Sequence, residues 1–328
     1  MAETKNMAIE KTGGLSLQEQ RRRQQMIRAI IAYIILALFA VIFILPFLVT
    51  VSTSLKYPQD VFDGKIIPQR IISPWWYNFF GRTEMNIPKL TYDGAFFAGW
   101  SRQGITPFAQ YYINSIIVSV AVVVLQIITC SMAAYAFARL RWPGRDQVFL
   151  TYLGTLMVPG VVMMIPVFIM MKNGFFLNRI FPFIPQFSLI DTYPALILPG
   201  AFSAYGTFML RQYFLSIPAS LEEAAYIDGA SRWQILTTII VPLSKTAIST
   251  MAIFTYLFTW NDFMWPLIVT NKDSMKTLPV GLQAFQSTYG SQWHLVMAAS
   301  LIVIFPLIVV FIIGQRYIVK GIMMTGLK

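Results

Sequence analysis

Ser216-Ile217-Pro218-Ala219-Ser220-Leu221-Glu222-Glu223-Ala224-Ala225-Tyr226-Ile227-Asp228-Gly229-Ala230-Ser231-Arg232-Trp233 is too patterned to be a linker and too polar to be part of the apolar runs on either side. Pro218 suits the first turn of a helix, and Glu222 and Glu223 lie early enough to complement its dipole. Gly229 permits the positive φ of a helix stop. Ser231 with Gln234 three residues on forms a capping box for a second helix, which the pattern carries to Val241 before Pro242. The segment therefore predicts a short helix, a glycine turn and another helix. Small Ala224 and Ala225 beside bulky Leu221 and Ile227 suit either close packing into a partner's groove or an amphipathic helix lying on a membrane.

Outward from this loop the chain is strongly apolar. Of 328 residues, 56% are hydrophobic and only 12% charged, and the apolar residues are clustered. A helical crossing of the hydrocarbon core needs about 20 mostly apolar residues. Six segments meet or approach that length: 29–51, 111–138, 147–171, 192–210, 246–269 and 295–314. All lack charged residues except the fifth, which carries Asp262. A large soluble protein would need polar, amphipathic helices to cover such segments, and too few are present. The first run is also too long for a signal peptide and lacks a small-residue cleavage site. The expected fold class is an all-α polytopic membrane protein with six transmembrane helices.

Lys and Arg are retained on cytoplasmic loops, so their placement orients the chain. With the amino terminus inside, the inner side holds Arg21, Arg22, Arg23, Arg28, Arg139, Arg141, Arg145, Arg211, Arg232, Lys245, Arg316 and Lys320, among others. The two shorter outer loops hold Lys172, Arg179, Lys272 and Lys276. Both termini are expected in the cytoplasm, and the loop 211–245 with them. The net charge of +11 is then largely an orientation signal, and no nucleic-acid partner is needed to explain it. Residues 1–28 read as a cytoplasmic arm and 29–328 as the transmembrane domain. Its outer loop at about 52–110 carries the aromatic group Trp75-Trp76-Tyr77-Phe79-Phe80, suited to the outer leaflet. Pro46, Pro159, Pro166, Pro199, Pro266 and Pro306 fall inside the spans and are expected to kink them. Cys130 is the only cysteine, which excludes an internal disulfide or a cysteine metal site, and His294, the only histidine, reads as an interfacial residue.

Glu223-Ala224-Ala225, three residues, Gly229, nine residues, then Ile239-Ile240-Val241-Pro242 resembles the EAA loop of ABC importer permeases, with Val241 where the family has Leu. Asp228-Gly229-Ala230 matches the family's extension of that motif. Further stretches resemble the carbohydrate-uptake branch, and within it the smaller maltose permease: Tyr112-Ile113-Asn114-Ser115, Ala134-Tyr135-Ala136-Phe137-Ala138-Arg139, Trp260-Asn261-Asp262-Phe263 and Gln315-Arg316-Tyr317-Ile318-Val319-Lys320-Gly321. The resemblance implies a type I ABC importer permease fold in which the short cytoplasmic helix is a coupling helix that docks on a nucleotide-binding subunit. It assigns ATPase coupling to Glu222, Glu223, Ala224, Ala225, Asp228, Gly229 and Pro242, with Glu223 as polar anchor and Gly229 setting the turn. It also implies the partners: a second, non-identical permease, two ATP-binding subunits, an external solute-binding protein and the lipid bilayer of a bacterial inner membrane. ATP and Mg would be used by the partner ATPase, with no cofactor bound by this chain. The corresponding tail of the maltose permease reaches between the ATPase subunits, a role carried here to the residues after Gly321. Gly321 and Gly326 have P-loop spacing, but Leu327 stands where the phosphate-binding Lys must be, so an ATP site and enzymatic activity are not expected.

Sugars are bound by aromatic faces and hydrogen-bonding side chains. The candidates for a substrate path are Asn114, Ser115 and Gln126 in the second span and Tyr256, Trp260, Asn261 and Asp262 in the fifth, with hydrogen bonding between helices as their competing role. Asp262 falls about 24 Å along its span at about 1.5 Å per residue, near the outer mouth. A polyol or glycerol phosphate permease is the alternative within the class. A secondary transporter would need relays of intramembrane carboxylates or histidines, of which the spans supply only Asp262. A membrane-embedded enzyme would need a catalytic constellation, and none is visible.

Overall fold

The structure is a computed structural model and describes residues 17–56, 60–69, 108–176, 187–288 and 293–325. Among the described residues, three helices are long and apolar enough to cross a membrane unbroken: α1, Leu17–Ser54; α2, Phe108–Arg139; and, at the far end of the chain, α12, Trp293–Thr325. They contain three of the six apolar segments. α1 begins before residue 28, so Arg21, Arg22, Arg23 and Arg28 lie on a helix continuous with the first apolar segment. Residues 1–16 lie outside the described residues, as do the aromatic group at 75–80 and the last three residues of the tail.

The other three segments are helical but broken. Segment 147–171 divides into α3, Arg145–Gly154, prolonged by a short turn to Met157, and α4, Gly160–Lys172, and these two halves meet at 103°. Segment 192–210 becomes α5, Tyr193–Ile197, a turn at Leu198–Gly200 and α6, Ala204–Ser216. Segment 246–269 becomes α9, Lys245–Trp260, and α10, Met264–Val269. Between them in sequence, α7 is Ala219–Ile227 and α8 is Arg232–Leu243. α11, Leu278–Thr288, precedes α12.

The breaks have local causes. Pro159 is followed by Gly160 and Pro199 by Gly200, so a missing backbone donor and a residue with weak helix preference coincide. Pro46, Pro166 and Pro306 have no glycine beside them and lie inside uninterrupted helices. One lost hydrogen bond bends a helix without ending it.

α2 is the central element, packed against α5, α6, α9 and α11; α12 lies against α9, and α1 against α12. Three apolar clusters follow the length of α2. Near its end, Cys130, Ala134, Tyr135 and Ala138 meet Leu210, Phe214, Ile235, Ile240 and Met251. Midway, Val118 and Val122 meet Met171, Leu196, Trp265 and Val269. At its start, Tyr111 meets Trp260, Leu278 and Ala299. Much of the remaining apolar surface is open, including Phe43, Met157, Phe258 and Ile313. Apolar exposure on this scale belongs to a chain solvated by lipid or covered by another subunit.

Candidate functional site

α7 is built as its sequence predicts, with one shift: Pro218 occupies the N-cap, immediately before the first helical residue. Gly229 has φ +84°. Its N–H donates to the Tyr226 carbonyl at 3.0 Å, and the Ala230 N–H donates to the Ala225 carbonyl at 2.9 Å. That pair of bonds is the glycine-terminated helix stop in which two orphan carbonyls are satisfied. The capping box closes next: the Gln234 N–H donates to Ser231 Oγ at 3.3 Å and the Ser231 N–H to Gln234 Oε1 at 2.7 Å.

α8 departs from expectation. It does not end before Pro242 but winds as a π-helix over Ile235–Ile240, with the Val241 N–H bonded to the Leu236 carbonyl, and continues through Leu243. Pro242 supplies no N–H, so the wider winding is a local answer to a missing donor. The chain then turns by 79° into α9 at Ser244.

The two faces of α7 differ. Glu222 and Ala225 point into the fold, whereas Leu221, Glu223, Ala224, Tyr226, Ile227 and the terminal Asp228 are exposed. The adjacent glutamates are therefore not equivalent. Glu222 Oε1 lies 2.8 Å from Arg139 Nε, a charge contact whose N–H is not aimed along the line of a hydrogen bond. Burial pushes the Glu222 carboxyl above its usual range, and the Arg139 guanidinium opposes that shift. The same guanidinium donates from Nη2 to the carbonyls of Phe214 at 2.6 Å and Ile217 at 2.5 Å, at the end of α6. In the sequence, Arg139 stands out as an orientation charge and as the end of the 134–139 stretch, with no partner indicated. Its place at the end of an uncharged span, on the side expected to carry the Glu222-Glu223 loop, was the available signal for a partner.

The candidate path residues separate into two groups. Asn114 is fully buried and fully committed. Its Nδ2 donates to the carbonyls of Ser274 at 2.8 Å and Lys276 at 2.9 Å, while Oδ1 accepts from the Tyr193 hydroxyl at 2.8 Å and Gln110 Nε2 at 2.9 Å. Ser115 Oγ accepts the Leu278 N–H at 2.8 Å. Gln126 donates to the Gly200 carbonyl at 2.7 Å and accepts from Thr255 at 2.8 Å. Trp260 is buried, donates its indole N–H to the Val303 carbonyl at 3.1 Å, and has Tyr256 stacked on it and Tyr112 edge-on. These residues join helices to one another.

Asn261 and Asp262 form the second group, at the interruption between α9 and α10. Asp262 Oδ1 accepts the Trp265 N–H at 3.4 Å. An open depression of about 600 Å³ is lined there by Leu257, Phe258, Asn261, Asp262, Phe263 and Met264. A second, of about 320 Å³, shares Asn261 and Phe263 and adds Pro279, Leu282, Gln283 and Val303. An exposed aromatic ring, two amides and a carboxylate thus converge at a helix break.

A helical bundle with broken spans, carrying a capped short helix on a loop between two of them, defines a transport subunit of the permease class. The chain belongs to the family of binding-protein-dependent transport system inner membrane components, whose family model matches residues 130–324. It is 36% identical over 215 residues to the arabinooligosaccharides transport system permease protein AraQ of Halalkalibacterium halodurans, covering 66% of this chain and 72% of that one. It is 35% identical over 236 residues to the sn-glycerol-3-phosphate transport system permease protein UgpE of Brucella abortus (strain 2308), covering 71% and 79%. Its fold is that of a chain in the crystal structure of the bacterial alginate ABC transporter in complex with an alginate pentasaccharide-bound periplasmic protein, with a TM-score of 0.57 at 15% identity over 92% of this chain and 96% of that one.

Proposed function

We propose that this chain forms half of the translocation path for a sugar or oligosaccharide in an ABC importer, together with a second, non-identical permease and an external solute-binding protein. ATP and Mg are handled by two separate subunits, and the chain lies in the membrane with both termini in the cytoplasm. The observation that carries the coupling role is the two-faced α7: Glu222 and Ala225 anchor it inward, leaving Leu221, Glu223, Ala224, Tyr226 and Ile227 free for a partner. Nine residues held between the Pro218 N-cap and the Gly229 stop, with a capping box opening the next helix, form a short, stiff projection suited to transmitting force.

The depression at the α9 to α10 break supports the solute class. A phosphate ester calls for Arg, Lys or clustered N–H donors. The residues lining both depressions include no Lys or Arg and do include Asp262, which would repel an anion. Aromatic Phe258 with Asn261, Asp262 and Gln283 suits an uncharged polyhydroxylated solute, which favours a sugar over glycerol phosphate. The test is uptake and ATPase stimulation in the reconstituted importer. Glu223→Lys reverses the exposed charge on α7 and is expected to abolish both while membrane insertion survives. A Cβ at Gly229 meets no atom within 4 Å, so Gly229→Ala adds only the strain of a positive φ. Gly229→Asp adds bulk and charge beside the docking face and is expected to be far more damaging. Normal transport in both Glu223→Lys and Gly229→Asp would overturn the coupling role.

A further inference from the structure

We propose that the Arg139–Glu222 contact is the joint through which α7 drives the second span, making Arg139 and Glu222 positioning residues for transport. The proposal rests on the coupling role given to α7 above. It concerns a different face of that helix and a different question: how movement passes from α7 into the bundle.

α7 is joined covalently to α6 through Ile217 and Pro218, and to α9 through α8. It has no direct connection to α2, whose last residue is Arg139 and from which α3 to α6 separate it along the chain. Yet α2 organises the bundle. Through Gln126 it is bonded to the Gly200 carbonyl and to Thr255 of α9, and through Asn114 to the carbonyls of Ser274 and Lys276. A displacement of α7 that left α2 behind would have to shear those bonds.

Two of the contacts between α7 and the end of α2 bear on this question. One is apolar, through Ala225 in the cluster with Tyr135 and Ala138. Such contacts are non-directional and permit sliding. The other is the ion pair, with both side chains close to nine-tenths buried. A buried charge cannot leave its counter-charge without a large desolvation penalty, so this contact resists separation where the apolar one does not. Arg139 also holds the Phe214 and Ile217 carbonyls, the free end of α6. One guanidinium therefore gathers the ends of α2 and α6 and the first turn of α7, and the three move as one body. Tyr135, buried one helical turn before Arg139, adds an aromatic wall to the same pocket.

The experiment measures solute carried per ATP hydrolysed by the full importer in proteoliposomes, with Glu222→Gln and Glu222→Ala against the wild type. Co-purification of the ATPase subunits is measured in parallel. Because Glu222 faces inward, both variants are expected to retain the ATPase subunits. The ratio of solute to ATP is expected to fall at least tenfold for Glu222→Ala, and less for Glu222→Gln, which keeps the shape and one acceptor. Arg139→Lys keeps the charge but cannot hold both carbonyls and the carboxylate, and is expected to lie between them. An unchanged ratio in Glu222→Gln and Arg139→Lys, with the wild type transporting normally, would overturn the joint and leave the coupling role of α7 standing. Loss of ATPase subunits from the Glu222 variants would also overturn it, by placing Glu222 in the docking surface. A wild-type chain that recruits no ATPase would overturn the coupling role itself, and the joint with it.

Discussion

The side chain of Asn114 has two amide hydrogens and two acceptor positions, and all four are used within this chain. Asn114→Ala would leave the Ser274 and Lys276 carbonyls and the Tyr193 hydroxyl without that partner. Each buried group left unpaired costs about 1–3 kcal/mol. The variant is expected to lower the thermal midpoint of the detergent-purified chain clearly, with solute preference in the assembled importer unchanged. A change in preference without a loss of stability would return Asn114 to the substrate path. At this scale, what the sequence reveals depends on how far apart the partners lie. The Ser231 and Gln234 capping box and the positive φ of Gly229 are local, and the residue types announce them. Asn114 finds its carbonyl partners 160 and 162 residues away, and Glu222 finds Arg139 across four helices. Nothing in a Glu222-Glu223 pair tells which glutamate turns inward; the packing of α7 against the end of α2 settles it.

Among the elements, the two tightest helix contacts at a glycine can each be tested by a single substitution. A Cβ on Gly281 of α11 would lie 2.0 Å from Tyr111 Cδ2 of α2, and Tyr111 is buried with no room to swing away. A Cβ on Gly314 of α12 would lie 2.4 Å from Ile253 Cδ1, the movable end of an aliphatic side chain on α9. Overpacking a filled interior costs about 1–3 kcal/mol. Gly281→Ala is therefore expected to destabilise at the upper end of that range or beyond it, and Gly314→Ala distinctly less. Thermal unfolding of the two purified variants checks the order, and equal midpoints would contradict it. The apolar segments were legible in the sequence because length and composition alone define a crossing. Their interruptions were legible only in part. Proline marks candidate positions at six places, but the helices break where glycine follows it, at Pro159-Gly160 and Pro199-Gly200, and pass unbroken through Pro46 and Pro306. The interruption at Asn261 to Phe263 has no proline at all; there Asp262 draws the Trp265 N–H to its side chain and starts the next helix.

For the molecule as a whole, the charges and the three-dimensional contacts sort the loops into the same two sets. Arg139, Arg145, Arg211 and Glu222 gather at one end: Arg139 holds the end of α6 and Glu222, while Arg145 and Arg211 both approach Asp146. Gln110, Asn114, Tyr193, Ser274 and Lys276 gather at the other. Cytoplasmic loops retain Arg and Lys, so the orientation proposed above puts the first set inside and the second outside. The sole cysteine makes that proposal directly measurable, because Cys130 is 1% exposed and gives little background to a thiol reagent. Arg22, Arg141 and Lys272 are exposed and can each be replaced by cysteine. A membrane-impermeant maleimide added to intact spheroplasts is expected to label Lys272→Cys, and to reach Arg22→Cys and Arg141→Cys only after the membrane is opened. The opposite pattern would place α7 outside the cell, away from any ATP, and the coupling role would fall with it. Labelling of Arg22→Cys from outside, with Arg141→Cys still protected, would instead mean that α1 does not cross, leaving the orientation of the remaining bundle and the inward placement of α7 unchanged.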